Sequence, residues 1–555
     1  MSTTDVNDLL FLPLGGAGEI GMNLNLYGYG QPDDAQWIMV DLGVTFADPS
    51  MPGVDVMMPD PAFIEEHRDS LLGIVLTHAH EDHLGAVQYL WPRFGCPVYA
   101  TPFTAAVLRR KLGEVDWGRD VPIIEVPLGA TFSMGPFDLE LITLTHSIPE
   151  PNAIAIRTEH GTVLHTGDWK FDAAPVVGDT PDIKRLRELG DEGVLAMVCD
   201  STNVFSPGDS GSEGDLKDSL SKVIAGCTGR VAVACFASNI ARLHTVAEAA
   251  HENGRDVVLA GRSLYRMVAA AKETGYLPED MVFVDESEAG YIPRDKCLLI
   301  CTGSQGEPRA ALSRIASGDH PRVSMDDGDT VIFSSRVIPG NEVSISQLQN
   351  QLASRNINII TWQDAFVHVS GRPARDELTE MYHLAKPQIA VPVHGEARHM
   401  IEHAKLAREC QVQQAIVSEN GSMISLTPGK VGVVDQVPSG RLALEGNRLV
   451  PLNGELVRRR RQALFNGFVV ATVVLDEDGE LFEDPQISAS GLLEVGEHDL
   501  EEAALAAIED CVENMPAKAK DQDAVAEETI RIALRRLFRS MLDKKPITII
   551  HLVRV

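Results

Sequence analysis

Short apolar runs punctuate the first 200 positions, and each passes directly into a histidine or an aspartate: WIMVDLG, GIVLTHAH, DLELITLTHS, TVLHTGD and VLAMVCDS. Runs this short, bounded by polar turns, predict β-strands rather than helices. Strands lying side by side bring their ends together, so these polar residues are expected to converge at one edge of a sheet. The early stretch FLPLGGAGEIGMNLNLY contains a superficial G-x-G-x-x-G. Its downstream half, GMNLNLY, alternates as a strand instead of opening a helix, so the glycines are expected to turn the chain between strands, not to bind a dinucleotide.

Near residue 206 the rhythm changes to strand, polar loop, helix: VAVACFASN then ARLHTVAEAAHENG, DVVLAGRS then LYRMVAAAKETG, followed by KCLLICTGSQGEP and DTVIFSSRVIPGNE. That is the pattern of a parallel sheet flanked by helices. After residue 350 the first pattern returns, with a strand running into histidine in PQIAVPVHGEARHM. The second unit therefore reads as an insertion in the first. Past Gly454 comes a third unit, with the hairpin GFVVATVVLDEDGELFEDPQIS, two helices and a last strand PITIIHLVRV. DEDGEL lacks a twelve-residue ligand loop and reads as a hairpin turn, not a calcium site. The expected division is 1–205 and 346–445 for the split first domain, 206–345 for the insertion, a linker at 446–460, and 461–555 for the C-terminal domain.

At 555 residues the chain is long enough for several cores. It lacks an 18-residue apolar span, and MSTTDVNDLL lacks the basic and apolar regions of a signal peptide, so a cytoplasmic protein without membrane association is expected. Its eight cysteines form no C-x-x-C pair, which argues against a zinc knuckle or a disulfide scaffold. A net charge of −32 excludes a surface coated in positive charge for sequence-blind nucleic-acid binding, though not a local groove. Arg458 to Arg461 form the clearest basic run and read as a solvated segment.

The chemistry is concentrated in IVLTHAHEDHLGAV. A strand that only had to turn would use Gly, Asn, Asp or Pro, whereas imidazoles and a carboxylate at one strand end are ligands for a divalent metal. The candidate ligands are His78, His80, Asp82, His83, His146, Asp168 and His394. Seven are too many for one tetrahedral ion and suit two ions with a bridging carboxylate, an arrangement used to hydrolyse phosphodiesters. One ion would take His78, His80 and His146, the other Asp82, His83 and His394, with Asp168 shared; Asp41 would orient an imidazole from behind. Zinc leads by ligand type, and manganese also suits His/Asp sites.

These residues resemble the metallo-β-lactamase superfamily, and the insertion between Asp168 and His394 resembles its β-CASP nucleases. As an ordered set, GGAGEIGMN, THSIPE, CDSTN, CFASN, GRS, TGSQGEP, IPGNE, HVSG and PVHGE resemble the ribonuclease J family. The resemblance implies an α/β protein: an αββα metallo-β-lactamase core, an inserted β-CASP domain, and a small α/β C-terminal domain that assists dimerisation, giving a homodimer or a dimer of dimers. It implies a metal-dependent ribonuclease with 5′-to-3′ exonuclease and endonuclease activity on single-stranded, 5′-monophosphorylated RNA. Asp200, His368 and His394 match the three β-CASP motifs, and histidine at the third tilts the substrate toward RNA. Asp200 and His368 are then candidates to protonate the leaving oxygen, with Asp82 as a further catalytic residue. Phosphates are expected on Ser238, Asn239, Arg262, Ser263, Ser370 and Gly371, in short polar loops. A small-molecule metallohydrolase of thioesterase or lactonase type and a metal-free RNA-binding relative are the alternatives. The insertion speaks against the first and the intact ligand set against the second.

In one place the chain departs from the family. Family members usually read HVSGH where this chain has HVSGR. Arg372 can neither ligate a metal nor cycle a proton at neutral pH. It is expected to clamp an RNA phosphate near the scissile bond, or else to pair on the surface with Asp376 or Glu377.

Overall fold

The computed structural model describes residues 7–31, 34–47, 51–338, 340–493 and 498–555; the first six residues and Pro339 of the IPGNE block lie outside this set. By compactness the chain forms two units, Met1–Thr45 with Met58–Ser439, and Phe46–Met57 with Gly440–Val555.

The first unit holds two large sheets. One runs Gly432–Gln436, Ser422–Ser425, Asp8–Gly15, Leu24–Gly30, Gln36–Val40, Leu71–Val75, Val98–Ala100, Ile123–Glu125. The other runs Thr131–Met134, Phe137–Thr143, Asn152–Thr158, Gly161–His165, Ala196–Asp200, Ile389–Val393, Gln414–Ala415. All five apolar runs that open the sequence are strands of these sheets. Phe11, Ile38 and Val40 of the first sheet share one core with Leu139, Ile154, Val198 and Val391 of the second. The far face of the second sheet is covered by helices Ile183–Glu192, Arg375–Ala385 and Ala397–Glu409, through Leu186, Leu189, Leu378, Met381 and Ala407. The expected αββα core is present. The GGAGEIG glycines turn the chain between strands: Gly16, Gly18 and Gly21 all have positive φ, a region open to glycine at little cost.

The insertion is an all-parallel five-stranded sheet in the order Asp256–Ala260, Cys297–Cys301, Val231–Ala234, Thr330–Phe333, Asn358–Ile360. Its last helix, Glu342–Ser354, runs past residue 345, and its edge strand lies wholly beyond it. The inserted fold therefore extends past the expected return point, because helix and strand continue the α/β rhythm without a break.

In the second unit, the strand Phe468–Leu475 alternates partly buried and buried residues along its length and pairs with Gln486–Ser488 and, in parallel, with Ile547–Arg554. Helices His498–Glu513 and Asp523–Leu542 bury Ala504, Ile508, Ile530, Leu534 and Phe538 in the same core. Residues 446–460 are not a linker: they carry the strand Arg448–Pro451 and the start of helix Glu455–Asn466. The arginine run lies on that helix, with Arg460 paired to Glu445 and Arg459 to Glu455.

Candidate metal centre

The segment HAHEDH leaves the strand Leu71–Val75 and is held by backbone bonds from two neighbouring segments. Asn23 N donates to Asp82 O (2.9 Å), Leu42 N to His83 O (2.6 Å) and Val44 N to Glu81 O (2.9 Å). Gly43 passes so close that a Cβ there would lie 1.8 Å from Asp82 O, so no larger residue fits. His146 follows the strand Phe137–Thr143, Asp168 follows Gly161–His165, and His394 follows Ile389–Val393. Strand order thus delivers residues more than 300 positions apart to one place.

Two sets of donor atoms form there, His78, His80, His146 and Asp168, and Asp82, His83, Asp168 and His394, with all ligand atoms of a set within 4.8 Å of one another. In the first, His80 Nδ1 lies 3.1 Å from both His78 Nε2 and His146 Nε2, and His146 Nε2 lies 3.7 Å from Asp168 Oδ2. In the second, Asp168 Oδ1 lies 3.3 Å from His83 Nε2 and 3.5 Å from His394 Nε2, while Asp82 Oδ2 lies 3.6 Å from His394 Nε2. Ligands of a tetrahedral ion bound at about 2.0–2.2 Å stand roughly 3.4 Å apart. Both Asp168 oxygens and His394 Nε2 are buried without a hydrogen-bond partner. Orphaned buried acceptors are costly, and a cation would satisfy all three. The donor set fits divalent metal, and fold and cluster together support divalent metal binding.

The imidazoles are oriented from behind. Asp41 Oδ2 lies 2.7 Å from His83 Nδ1, and the same carboxylate accepts from Thr77 N and Oγ1. Asn23 Oδ1 accepts from His394 Nδ1 at 2.9 Å, and the Gly371 carbonyl accepts from His146 Nδ1. Each bond turns Nε2 toward the cluster, where His83 Nε2 also lies 3.2 Å from Asn23 Nδ2. Asp41 and His394 have φ of 65° and 52°, a strained region for non-glycine residues that costs about 1–3 kcal/mol each. Backbone bonds from Asp41 N to Val75 O and from His394 N to Gly16 O hold them there. Burial lowers the pKa of His80 to about 4 and of His394 to about 3, so their lone pairs are available to a cation at neutral pH. His83 differs: burial opposes its charge, but Asp168, Asp41 and Asp82 raise its pKa well above the ordinary imidazole value. Burial likewise opposes charge on Asp168, yet Arg372, His394 and His83 hold its carboxylate well below the usual range.

The remaining candidates divide. Asp200 is buried beside the cluster; its Oδ1 accepts from Thr202 N and Oγ1, its Oδ2 has no partner, and burial, then Asp168, push its pKa up to about 7. His368 is not brought to the cluster. Its Nδ1 lies 3.4 Å from Arg242 Nη1, and Arg242 is itself buried in an ion pair with Glu213. Burial and that guanidinium keep the His368 ring neutral. Ser370 Oγ is taken up within its own turn and by Asn203. Gly371 packs against Ser147, where a Cβ would come within 2.8 Å. Asn239 is buried and caps helix Ile240–Glu252 by accepting from Arg242 N, so it holds the helix rather than facing substrate. Ser238 and Ser263 are half-buried and Arg262 exposed, at loops of the inserted sheet. Arg372 pairs with neither Asp376 nor Glu377. Its Nη2 lies 2.7 Å from Asp168 Oδ2, out of line for a hydrogen bond, and 3.4 Å from Asp82 Oδ2, while its Nη1 donates to Thr202 Oγ1 at 2.6 Å. Glu377 instead accepts from Phe171 N, Ser210 N and Ala374 N. Asn23, Thr202 and the Gly371 carbonyl are site groups that sequence reasoning missed.

The chain resembles known proteins over its whole length. Family models match the metallo-beta-lactamase superfamily at residues 28–225, the ribonuclease J beta-CASP domain at 228–352, a Zn-dependent metallo-hydrolase RNA specificity domain at 364–417, and the ribonuclease J C-terminal domain at 455–555. Ribonuclease J of Sinorhizobium meliloti is 46% identical over 550 residues, covering 99% of this chain and 98% of the relative. The chain belongs to the ribonuclease J family. Ribonuclease J2 of Bacillus subtilis is 32% identical over 549 residues, with 98% of each chain covered. A crystal structure of a protein of unknown function from Enterococcus faecalis V583 shares the fold, with a TM-score of 0.52 at 16% identity over 75% of this chain and 100% of that one.

Proposed function

We propose that the protein hydrolyses single-stranded, 5′-monophosphorylated RNA with two divalent ions, zinc before manganese, acting as a 5′-to-3′ exonuclease and as an endonuclease. Metal-dependent hydrolysis of RNA follows from the family and from the His/Asp cluster. The observation that carries the two-ion reading is the pair of donor sets sharing Asp168. Cations held there would acidify water for attack on phosphorus and offset charge on the phosphate. The chain's own groups then do the rest. Asp41 and Asn23 fix the ring orientations of His83 and His394. Asp200, buried beside the donors with its Oδ2 unpartnered, is the group placed to give a proton to the leaving oxygen. His368, turned to Arg242, takes no part in that transfer. Elemental analysis should give two ions per chain, and chelated protein should regain RNA cleavage with zinc or manganese. Full cleavage in chelator, or fewer than one ion per chain, would sink the reading.

Asp200→Asn keeps the shape and removes the proton. It should lower kcat by about 10²–10⁴-fold while leaving metal content and KM near wild type. Retained kcat would remove Asp200 from the proton path.

Among the described residues no helix is long and apolar enough to cross a membrane. We place the protein in the cytoplasm, in keeping with eight free cysteines. Exposed Leu464, Phe465 and Phe482 in the second unit support self-association there as a homodimer, which light scattering of the intact chain tests.

A further inference from the structure

We infer that the inserted domain carries a base-stacking platform, built from Trp362 with Arg336 and flanked by Phe236 and Phe366, that holds single-stranded RNA on the 3′ side of the scissile bond. The inference rests on the proposed RNA substrate.

Three neighbouring parallel strands end along one edge. Ala234 pairs in register with Phe333, and Ile332 with Ile360. Phe236, Arg336 and Trp362 follow these strands within three residues, so they lie in that order across about two strand spacings, roughly 10 Å. The carboxyl ends of parallel strands are where open α/β sheets take their ligands. The Arg336 guanidinium carbon sits 5.3 Å from the centre of the Trp362 ring, within cation–π range. Trp362 and Phe366 are 42% and 47% exposed, and Trp362 is the exposed one of the five tryptophans. The nearby Asp364 carboxylate is occupied by Thr361 N and Oγ1.

The platform is continuous with the site. One segment leads from Trp362 through Phe366, His368 and Ser370 to Arg372 at the ligand cluster. Ser334 Oγ donates to Val367 O, and Arg242 binds both Ser334 and His368, so this segment is fastened to the inserted sheet. A ten-residue segment spans at most about 35 Å. A chain of net charge −32 gains little from general attraction to phosphate. Stacking on aromatic faces, which every base can supply and which a neighbouring guanidinium strengthens, is the sequence-tolerant alternative.

The test compares a 5′-phosphorylated oligoadenylate 20-mer, long enough to reach both platform and metals, with a 5′-phosphorylated dinucleotide, which is not. Trp362→Ala should raise KM for the 20-mer about tenfold and change KM for the dinucleotide far less. Trp362→Phe, which keeps a ring, should stay within about twofold of wild type, and Arg336→Gln should fall between. In chelator, the 20-mer should quench tryptophan fluorescence in the wild type, and most of that quench should vanish in Trp362→Phe. Equal rises in KM for both substrates, or no rise for the 20-mer, overturn the platform while leaving the ribonuclease reading intact. A wild-type protein that neither binds nor cuts the 20-mer overturns both.

Discussion

Replacing Asp168 by alanine should strip both ions from the protein and lower RNA cleavage by at least about a thousandfold. Asp168 is the residue common to the two donor sets, and its oxygens face His83, His394 and His146 at 3.3–3.7 Å. Removing any other ligand leaves one set whole, whereas removing Asp168 opens both. Loss of a group that only orients a ligand costs about 10–100-fold in metal affinity or activity, and a shared ligand should cost more than that at each ion. The variant should still fold, because Arg372 keeps Asp82 and Thr202 as partners when Asp168 is lost. Its melting temperature should become indifferent to added zinc, where the wild type is stabilised by a ligand bound to the native state alone. Elemental analysis, the zinc-dependent melting shift and turnover check the three parts. Two ions retained per chain would mean that Asp168 bridges nothing.

That cluster of donors was readable from the sequence because a metal site calls for residue types that ordinary turns avoid, and because each donor stands where an apolar run stops. Of the groups that stand behind the donors, Asp41 was readable at its own strand end, and the others were not. Asn23 follows a glycine-rich turn and reads as part of it, and its role exists only once Gly16 and His394 are neighbours. The Gly371 carbonyl is backbone and carries no side-chain signal. The joining of Phe46–Met57 to the C-terminal residues is a pairing across nearly 400 positions that nothing local announces. His368 shows the opposite error. It sits two residues before Ser370 in a segment that does reach the cluster, but its own ring turns toward Arg242. Sequence neighbours share a route, not an orientation.

Arg372→Ala should leave both ions bound and raise KM for 5′-phosphorylated RNA by about 10–100-fold, with a smaller loss for 5′-hydroxyl RNA. The Arg372 side chain is largely buried, anchored by Nη1 on Thr202 Oγ1, and directs Nη2 at Asp168 and Asp82. Without cations, the guanidinium offsets the charge of those two carboxylates. Two divalent ions would reverse the balance: the carboxylates become ligands, the centre turns positive, and the guanidinium is driven toward an anion. An RNA phosphate entering the site is that anion, and a charge-assisted hydrogen bond to it contributes about 1.5–3 kcal/mol, which sets the predicted range. Removing Arg372 should also strengthen metal binding, since a competing cation has gone. Arg372→Lys should restore part of the affinity but little of the preference for the 5′-phosphate, because an ammonium lacks the planar two-pronged fork. Metal titration of chelated protein and paired KM measurements on the two RNAs separate the effects. Unchanged discrimination between 5′ ends, or weaker metal binding in Arg372→Ala, would leave the guanidinium as a prop for Asp168 rather than a grip on substrate.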